Sequence, residues 1–188
     1  MKITDKKIIS LIRSGGIGVL PTDTIYGLVG LVMSKRAVEG IYNVRRRNPK
    51  KPCVILISQL SDLKKFGIIL KKEDQKILEK IWPGKASVIL PCSGQKFFYL
   101  HRGTKSLAFR IPKKPALIRI LRKTGPLLAP SANPEKFPPA KNLAEARKYF
   151  GNKIDFYING GKMKSKPSTL IKIKNGAIKV LRPGAVKL

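Results

Sequence analysis

The chain has 188 residues, 43% of them hydrophobic, which suits one compact domain over residues 1–188 with a core of its own. Forty Lys and Arg against ten Asp and Glu give a formal charge of +30, which excludes an acidic binding protein and disfavours a carboxylate-caged metal centre. Apolar residues are too plentiful for disorder, and no apolar run approaches the roughly 20 residues of a membrane span.

In chain order, Thr4 is placed to cap a first helix with Ile8, Ile9, Leu11 and Ile12 on its apolar face, ending at Gly15-Gly16. With Asp5 in it, this start does not read as a secretory signal. Ile17 to Leu20 predicts a buried strand that stops at Pro21, and the residues from Thr22 to Leu28 read as a polar turn. Ser34 caps a second helix with Val38, Ile41 and Tyr42 inward and arginines at its C-terminal end, where cations suit the helix dipole. Val54 to Ile57 predicts a strand, and Leu60 to Phe66 and Lys72 to Ile81 predict helices. Ala86 to Leu90 and Leu107 to Ile111 are strands, followed by a helix from Pro115 to Lys123 with Pro in its first turn. Leu127 to Ala129 is a short buried strand. Pro134 to Asn142, rich in Pro and Lys, is the candidate mobile loop, and Asn142 with Glu145 forms a capping box for a helix to Phe150. Phe156 to Ile158, Thr169 to Ile173 and Ile178 to Leu181 are strands, the last two joined by an Asn175-Gly176 hairpin turn. Helices alternate with strands early and the end is hairpin-like, so the expected fold is α/β of the α+β type: a mixed sheet with helices packed on it.

The charge is clustered. No acidic residue follows Asp155, while Lys162, Lys164, Lys166, Lys172, Lys174, Lys179, Arg182 and Lys187 do; Arg45, Arg46, Arg47, Lys50 and Lys51 make a second cluster. Such patches fit nucleic-acid phosphates, although a solvated lysine-rich surface has the same composition. Aromatics are not interleaved, so a single-strand stacking platform is not indicated. Cys53 and Cys92 lie far apart without CxxC spacing, which points to free buried thiols and a reducing cytoplasm.

Familiar catalytic machinery is thin. The single histidine, His101, reads as a surface or loop residue, and Asp23 is the one carboxylate inside a motif. Neither GxxxxGK[ST] nor GxGxxG occurs, which removes P-loop and Rossmann readings. What remains are cations, hydroxyls and amides in Pro21-Thr-Asp-Thr-Ile-Tyr-Gly-Leu28, Arg45-Arg-Arg47 with Lys51-Pro52, Ala129-Pro-Ser-Ala-Asn133, Pro167-Ser-Thr169 and Leu181-Arg-Pro-Gly184. Guanidinium forks clamp phosphates and carboxylates, so this set suits a site that works by position and electrostatics.

Together with Trp82-Pro-Gly84 and Arg110-Ile-Pro112, these blocks run collinearly from about Gly15 to Val186. In that order they resemble the YrdC-like family of threonylcarbamoyl-AMP synthases in its short, single-domain form. The resemblance implies a twisted mixed sheet with flanking helices and a basic concave face. It implies a nucleotidyltransferase that condenses L-threonine, bicarbonate and ATP to threonylcarbamoyl-AMP with release of pyrophosphate. Partner proteins would then transfer the threonylcarbamoyl group to tRNA beside the anticodon, and the family's affinity for structured RNA agrees with the charge. Carried over by position, Thr24, Arg110, Ala129 and Ser168 would hold threonine. Arg47, Lys51, Ser106, Ser131, Asn133 and Arg182 would bind ATP, and Arg45, Arg47, Ser131 and Asn133 would form the catalytic group. Magnesium would ride on the phosphates, with no protein metal ligands and no prosthetic group. Arg45 stands where the family usually has Lys, Glu135-Lys136 where Ser-Gly often follows, and Ser87 where Thr is usual. Those departures leave one alternative, a non-catalytic RNA- or ribosome-binding paralogue on the same fold.

Overall fold

The computed structural model describes residues 5–174 and 176–188; the Thr4 cap and Asn175 lie outside the described residues. Helix α1 (Asp5–Arg13) buries Ile8 and Ile12 and ends at Gly15, whose φ of +86° suits a residue without a Cβ. Strand β1 (Ile17–Pro21) pairs antiparallel with β2 (Tyr26–Leu31), from Ile17 opposite Gly30 to Pro21 opposite Tyr26. The sequence reading made the start of β2 a turn, and the structure corrects this. Tyr26, Leu28 and Val29 are all buried, on both faces of the sheet, so no alternation marks the strand, and its glycines read as turn residues. Gly30 is there for packing: a Cβ would sit 3.0–3.2 Å from Ile17, Ile41 and Ala37.

Helix α2 (Lys35–Arg45) starts as expected, with the Ala37 N–H donating to Ser34 Oγ at 3.2 Å, and buries Val38, Ile41 and Tyr42. After β3 (Val54–Leu56), residues Leu60–Phe66 form a 3-10 helix instead of an α-helix. Asp62 anchors its start, its Oδ2 accepting the Ser58 N–H at 2.9 Å and the Ser58 hydroxyl at 2.7 Å. Next come α3 (Lys72–Ile81), β4 (Ala86–Pro91), a short α4 (Phe98–His101), β5 (Ser106–Arg110) and α5 (Pro115–Thr124). The chain closes with β6 (Leu127–Leu128), α6 (Leu143–Phe150), β7 (Phe156–Tyr157), β8 (Thr169–Lys174) and β9 (Ala177–Arg182). The Asn142 cap of α6 is present, its Oδ1 accepting the Glu145 N–H at 2.9 Å, but the reciprocal half of the expected box is shifted: Glu145 Oε2 accepts the N–H of Lys141, at 2.8 Å, one residue before the cap.

Among the described residues nine strands make one mixed sheet in the order β7-β1-β2-β6-β3-β5-β4-β8-β9, with β1/β7, β3/β5 and β4/β8 parallel and the other pairs antiparallel. The mixed sheet with flanking helices is the architecture expected from the sequence.

Two further expectations fail. His101 is buried, not a surface residue; α4 ends at Arg102 in the left-handed region (φ 51°), and the ring turns inward, its Nδ1 accepting the Gly103 N–H at 3.2 Å. The segment 134–142 is tied down: the Ala140 N–H donates to Ala132 O at 3.1 Å and the Tyr149 hydroxyl to Pro138 O at 3.1 Å.

The sheet's two faces are covered unequally, and this makes the site. One face packs continuously under α2, α3 and α6 through residues such as Val19, Leu28, Ile55, Val88 and Phe109. Each such side chain contributes about 1.5–3 kcal/mol when fully buried. On the other face α1 and α5 cover Leu20, Val29, Leu56 and Leu127. Past β3 that cover ends. Strand alternation sends Leu107 and Phe109 into the core and leaves Ser106, Ala108 and Arg110, with Ile89 and Leu170, as the lining of an open hollow.

The C-terminal segment closes one side of the hollow by passing directly over the backbone before β8. A Cβ on Gly184 would collide with Pro167 O and the Ser168 backbone. Gly184→Ala is therefore expected to destabilise the fold by about 1–3 kcal/mol, read as a lower urea midpoint at unchanged m-value.

Candidate active site

The hollow is a cavity of about 360 Å³. Its rim is built from the β1–β2 turn, the C-terminal end of α2, the loop after β6, the Pro167-Ser168 step and the end of β9. Four guanidinium groups line it, from Arg45, Arg47, Arg110 and Arg182, and among the described residues no carboxylate does.

Helix α2 ends so that the triple arginine splits. Arg46 adopts the left-handed conformation (φ 51°, ψ 41°), with the Arg46 N–H donating to Asn43 O and the Arg47 N–H to Tyr42 O. Arg46 is turned outward to solvent, while Arg45 and Arg47 reach the cavity. Arg45, only 3% exposed, donates from Nε to Asn133 O at 2.8 Å and from Nη2 to Ser131 Oγ at 3.2 Å; its buried Nη1 has no protein partner. Burial pushes its pKa below the usual arginine value, yet a guanidinium keeps its proton, so a fixed cation with a free donor stands in the wall. Arg47 donates to Lys51 O at 3.0 Å and Pro52 O at 2.8 Å. Arg182 donates to Ser168 O at 2.9 Å, and its pKa is lowered by burial and by repulsion from Arg47.

Arg110 is held differently. Its Nη1 meets Asp23 Oδ1 at 2.5 Å, with both side chains at most 5% exposed, and its Nε is buried without a partner. Asp23 also accepts the Lys113 N–H at 3.0 Å, which ties the β1–β2 turn to the start of α5.

Hydroxyls complete the lining. Thr24 Oγ1 lies 3.1 Å from Thr22 Oγ1, and buried Ser87 holds the Ser168 hydroxyl at 2.8 Å. Ser131 is fixed because its loop continues the sheet pairing: the Leu28 N–H donates to Pro130 O at 2.9 Å and the Ala132 N–H to Tyr26 O at 2.9 Å. Gly27 faces Ser131 across this bridge. The Ala129 N–H is used by Val54 O at 2.8 Å. Cys53 lines the floor and Cys92 is buried elsewhere; burial pushes both thiols up, as expected of small apolar groups.

The structure brings Thr24, Arg45, Arg47, Ser106, Arg110, Ala129, Ser131, Ser168 and Arg182 to this one cavity. It does not bring Lys51 or Asn133 to the lining. The Asn133 side-chain amide donates to Pro134 O and Phe137 O, both at 2.8 Å, and so folds its own loop; its backbone carbonyl takes the Arg45 bond. Lys51 pairs outside with Glu135 at 2.9 Å. Glu135 Oε2 also accepts the Asn48 N–H, and the Glu135 N–H donates to Arg45 O at 2.7 Å. Lys51, then the Asn48 N–H, hold the Glu135 carboxyl down to about 2. Sequence reasoning missed Asp23 as the Arg110 partner, Thr22 and Ser87 as hydroxyl supports, and Glu135 as a latch. Asp23 and Glu135 could have been sought as scarce acids of a basic chain that lie inside or beside its motifs.

An α/β fold with a cationic, hydroxyl-lined cavity on the uncovered part of its sheet is thus the class of protein. The Sua5/YciO/YrdC family model, whose description reads "Telomere recombination", matches residues 10–184, and the chain belongs to this family. It is 27% identical over 176 residues to the threonylcarbamoyl-AMP synthase of Cellvibrio japonicus, covering 93% of this chain and 92% of that one. It resembles the crystal structure of Pyrococcus abyssi Sua5 complexed with L-threonine (27% identity, TM-score 0.88), covering 98% of this chain but 56% of that one. Escherichia coli YciO shares the fold at 24% identity and TM-score 0.85, covering 97% of this chain and 90% of that one.

Two outcomes follow from this geometry. Asp23→Ala leaves Arg110 buried without its counter-charge and is expected to cost about 3–5 kcal/mol, against less for Asp23→Asn, in chemical denaturation. The Glu135 latch has a depressed carboxyl, so its stabilising effect is complete above the unfolded value of 4.5 and lost as pH falls through about 2. The difference in melting temperature between wild type and Glu135→Gln should therefore be constant from pH 7 to 5 and shrink towards pH 2.

Proposed function

We propose that this protein is an enzyme that makes L-threonylcarbamoyl-AMP from L-threonine, bicarbonate and ATP. The observation that carries the reading is the cavity itself: four guanidiniums with no lining carboxylate, in a chain whose relatives include threonylcarbamoyl-AMP synthases. Every substrate is an anion or carries a carboxylate, and the cavity offers fixed cations and hydroxyls for such groups. In the reaction the threonine nitrogen bonds to the bicarbonate carbon and water leaves. A carbamate oxygen then bonds to the α-phosphorus as the bond to pyrophosphate breaks. Charge builds on the phosphoryl oxygens and the leaving group, where preorganised guanidiniums stabilise it most.

In this assignment Thr24, Ser168 and Arg110 hold threonine at the β5 end, with the Arg110 Nε as the remaining fork donor for the carboxylate. The Ala129 region forms the wall beside it. Arg47, Arg182 and Ser106 line the nucleotide side, and Lys51 reaches the phosphates from outside. Arg45 and Ser131, bonded to each other, face the reacting carbon and phosphorus, and Asn133 acts by holding Arg45 through its carbonyl. Magnesium is carried in on the phosphates, because the cavity lining offers guanidinium and hydroxyl groups in place of carboxylate ligands. As a nucleotidyltransferase in a reducing compartment, the protein hands its product to threonylcarbamoyl-transfer proteins acting on tRNA, and the +30 surface gives structured RNA a place to bind.

Pyrophosphate release is expected to require L-threonine and bicarbonate together. Robust release with either omitted, or none with all three substrates present, contradicts the reading. A tRNA should bind at low salt, with affinity falling steeply as salt rises; no binding of tRNA or heparin at low salt would mean that the charge is only compositional.

A further inference from the structure

Glu135 is one of ten acidic residues in a chain with forty basic ones, and it lies among the groups an anion would seek. Its carboxylate accepts the Lys51 ammonium at 2.9 Å and the backbone N–H of Asn48 at 2.5 Å. Arg47, which lines the cavity, is close enough to lower its pKa further, and Arg45 feels its charge as well. The carboxylate is aimed there by the backbone, since its own N–H is bonded to Arg45 O at 2.7 Å. An ammonium, a backbone N–H and a neighbouring guanidinium are the donors that hold a phosphate group. The Lys51 side chain is 59% exposed and that of Glu135 only 19%, so the lysine can leave the carboxylate more easily than the carboxylate can leave its loop.

We infer that Glu135 is a built-in anion that engages the Lys51 ammonium in place of a phosphate, and that an incoming polyphosphate must draw Lys51 away from it while Glu135 stays on the Asn48 N–H. Lys51 swings from Glu135 to the outer phosphates, and the residual negative charge of Glu135 opposes long phosphate chains. Glu135 thereby sets the discrimination between nucleotides by phosphate charge. It acts through Lys51 and is a positioning residue. The inference rests on the proposed use of ATP for its biological meaning, but the anion site can be probed without a nucleotide.

The test is calorimetric titration of wild type, Glu135→Gln, Lys51→Ala and the double variant with inorganic tripolyphosphate, ATP and AMP. Glutamine keeps an acceptor for the Asn48 N–H and removes the charge, so the loop is expected to stay folded, checked by melting temperature. Glu135→Gln should bind tripolyphosphate and ATP about 2- to 10-fold more tightly, as expected for loss of a partly exposed charge competitor, with AMP changed less. In the Lys51→Ala background the gain should disappear. Weaker or unchanged tripolyphosphate binding in Glu135→Gln, an equal gain for AMP, or a gain that persists without Lys51 overturns the inference. If tripolyphosphate behaves as expected but ATP does not bind the wild type, the nucleotide reading fails while the anion site stands.

Discussion

Guanidinium groups that share one cavity repel one another, and each of the four here is restrained by a bond that brings no carboxylate into the lining. Arg45 and Arg182 are held by backbone carbonyls, of Asn133 and Ser168, and Arg47 by those of Lys51 and Pro52. A carbonyl restrains a guanidinium without neutralising it. Among the described residues Arg110 is the one of the four with an ion-pair partner, Asp23 of the β1–β2 turn, which does not line the cavity. Burial first, and then the repulsion from Arg47, lower the pKa of Arg182, so the crowding of cations carries a cost. An anionic ligand relieves it, which is the physical sense in which the site is preorganised.

The fold makes that restraint possible. Loops that bear Ser131 and Ser168 do not hang free but continue the pairing of β2 or lead directly into β8, so their hydroxyls are fixed by the sheet. The cavity exists because two helices, α1 and α5, cover only part of one sheet face. Extending that cover over β4 and β5 would bury Arg110 and Ser106 beneath apolar side chains and leave no room for a ligand. Part of the apolar burial that this sheet could have had is thus exchanged for a site.

Local signals were legible in the sequence and long-range ones were not. The Ser34 and Asn142 caps depend on residues three apart, and both are present. The strand β2 hid because a strand buried on both faces has no alternation, and because Gly30 is there for close packing rather than for a turn. His101 read as a surface residue because its burial is decided by the chain reversal at Arg102 and not by its neighbours in sequence. In the candidate site, the motif residues that line the cavity were identifiable. Their supports were not: Asp23 is 87 residues from Arg110, and Glu135 is 84 from Lys51. The triple arginine could be seen, but its division into two inward side chains and one outward depends on a left-handed backbone at Arg46 that no sequence rule demands of an arginine.

The central claim is that different guanidiniums in this one cavity take different anions. Calorimetric titration of Arg47→Ala and Arg110→Lys with ATP and with L-threonine tests it most directly; the lysine in the second variant keeps a cation against Asp23 and removes the fork. Loss of a charge-assisted bond is worth about 1.5–3 kcal/mol, or roughly 10- to 150-fold in affinity. Arg47→Ala is expected to lose ATP by that factor and spare threonine, and Arg110→Lys to weaken threonine and spare ATP. Folded variants that lose both ligands equally, or neither, would contradict the account.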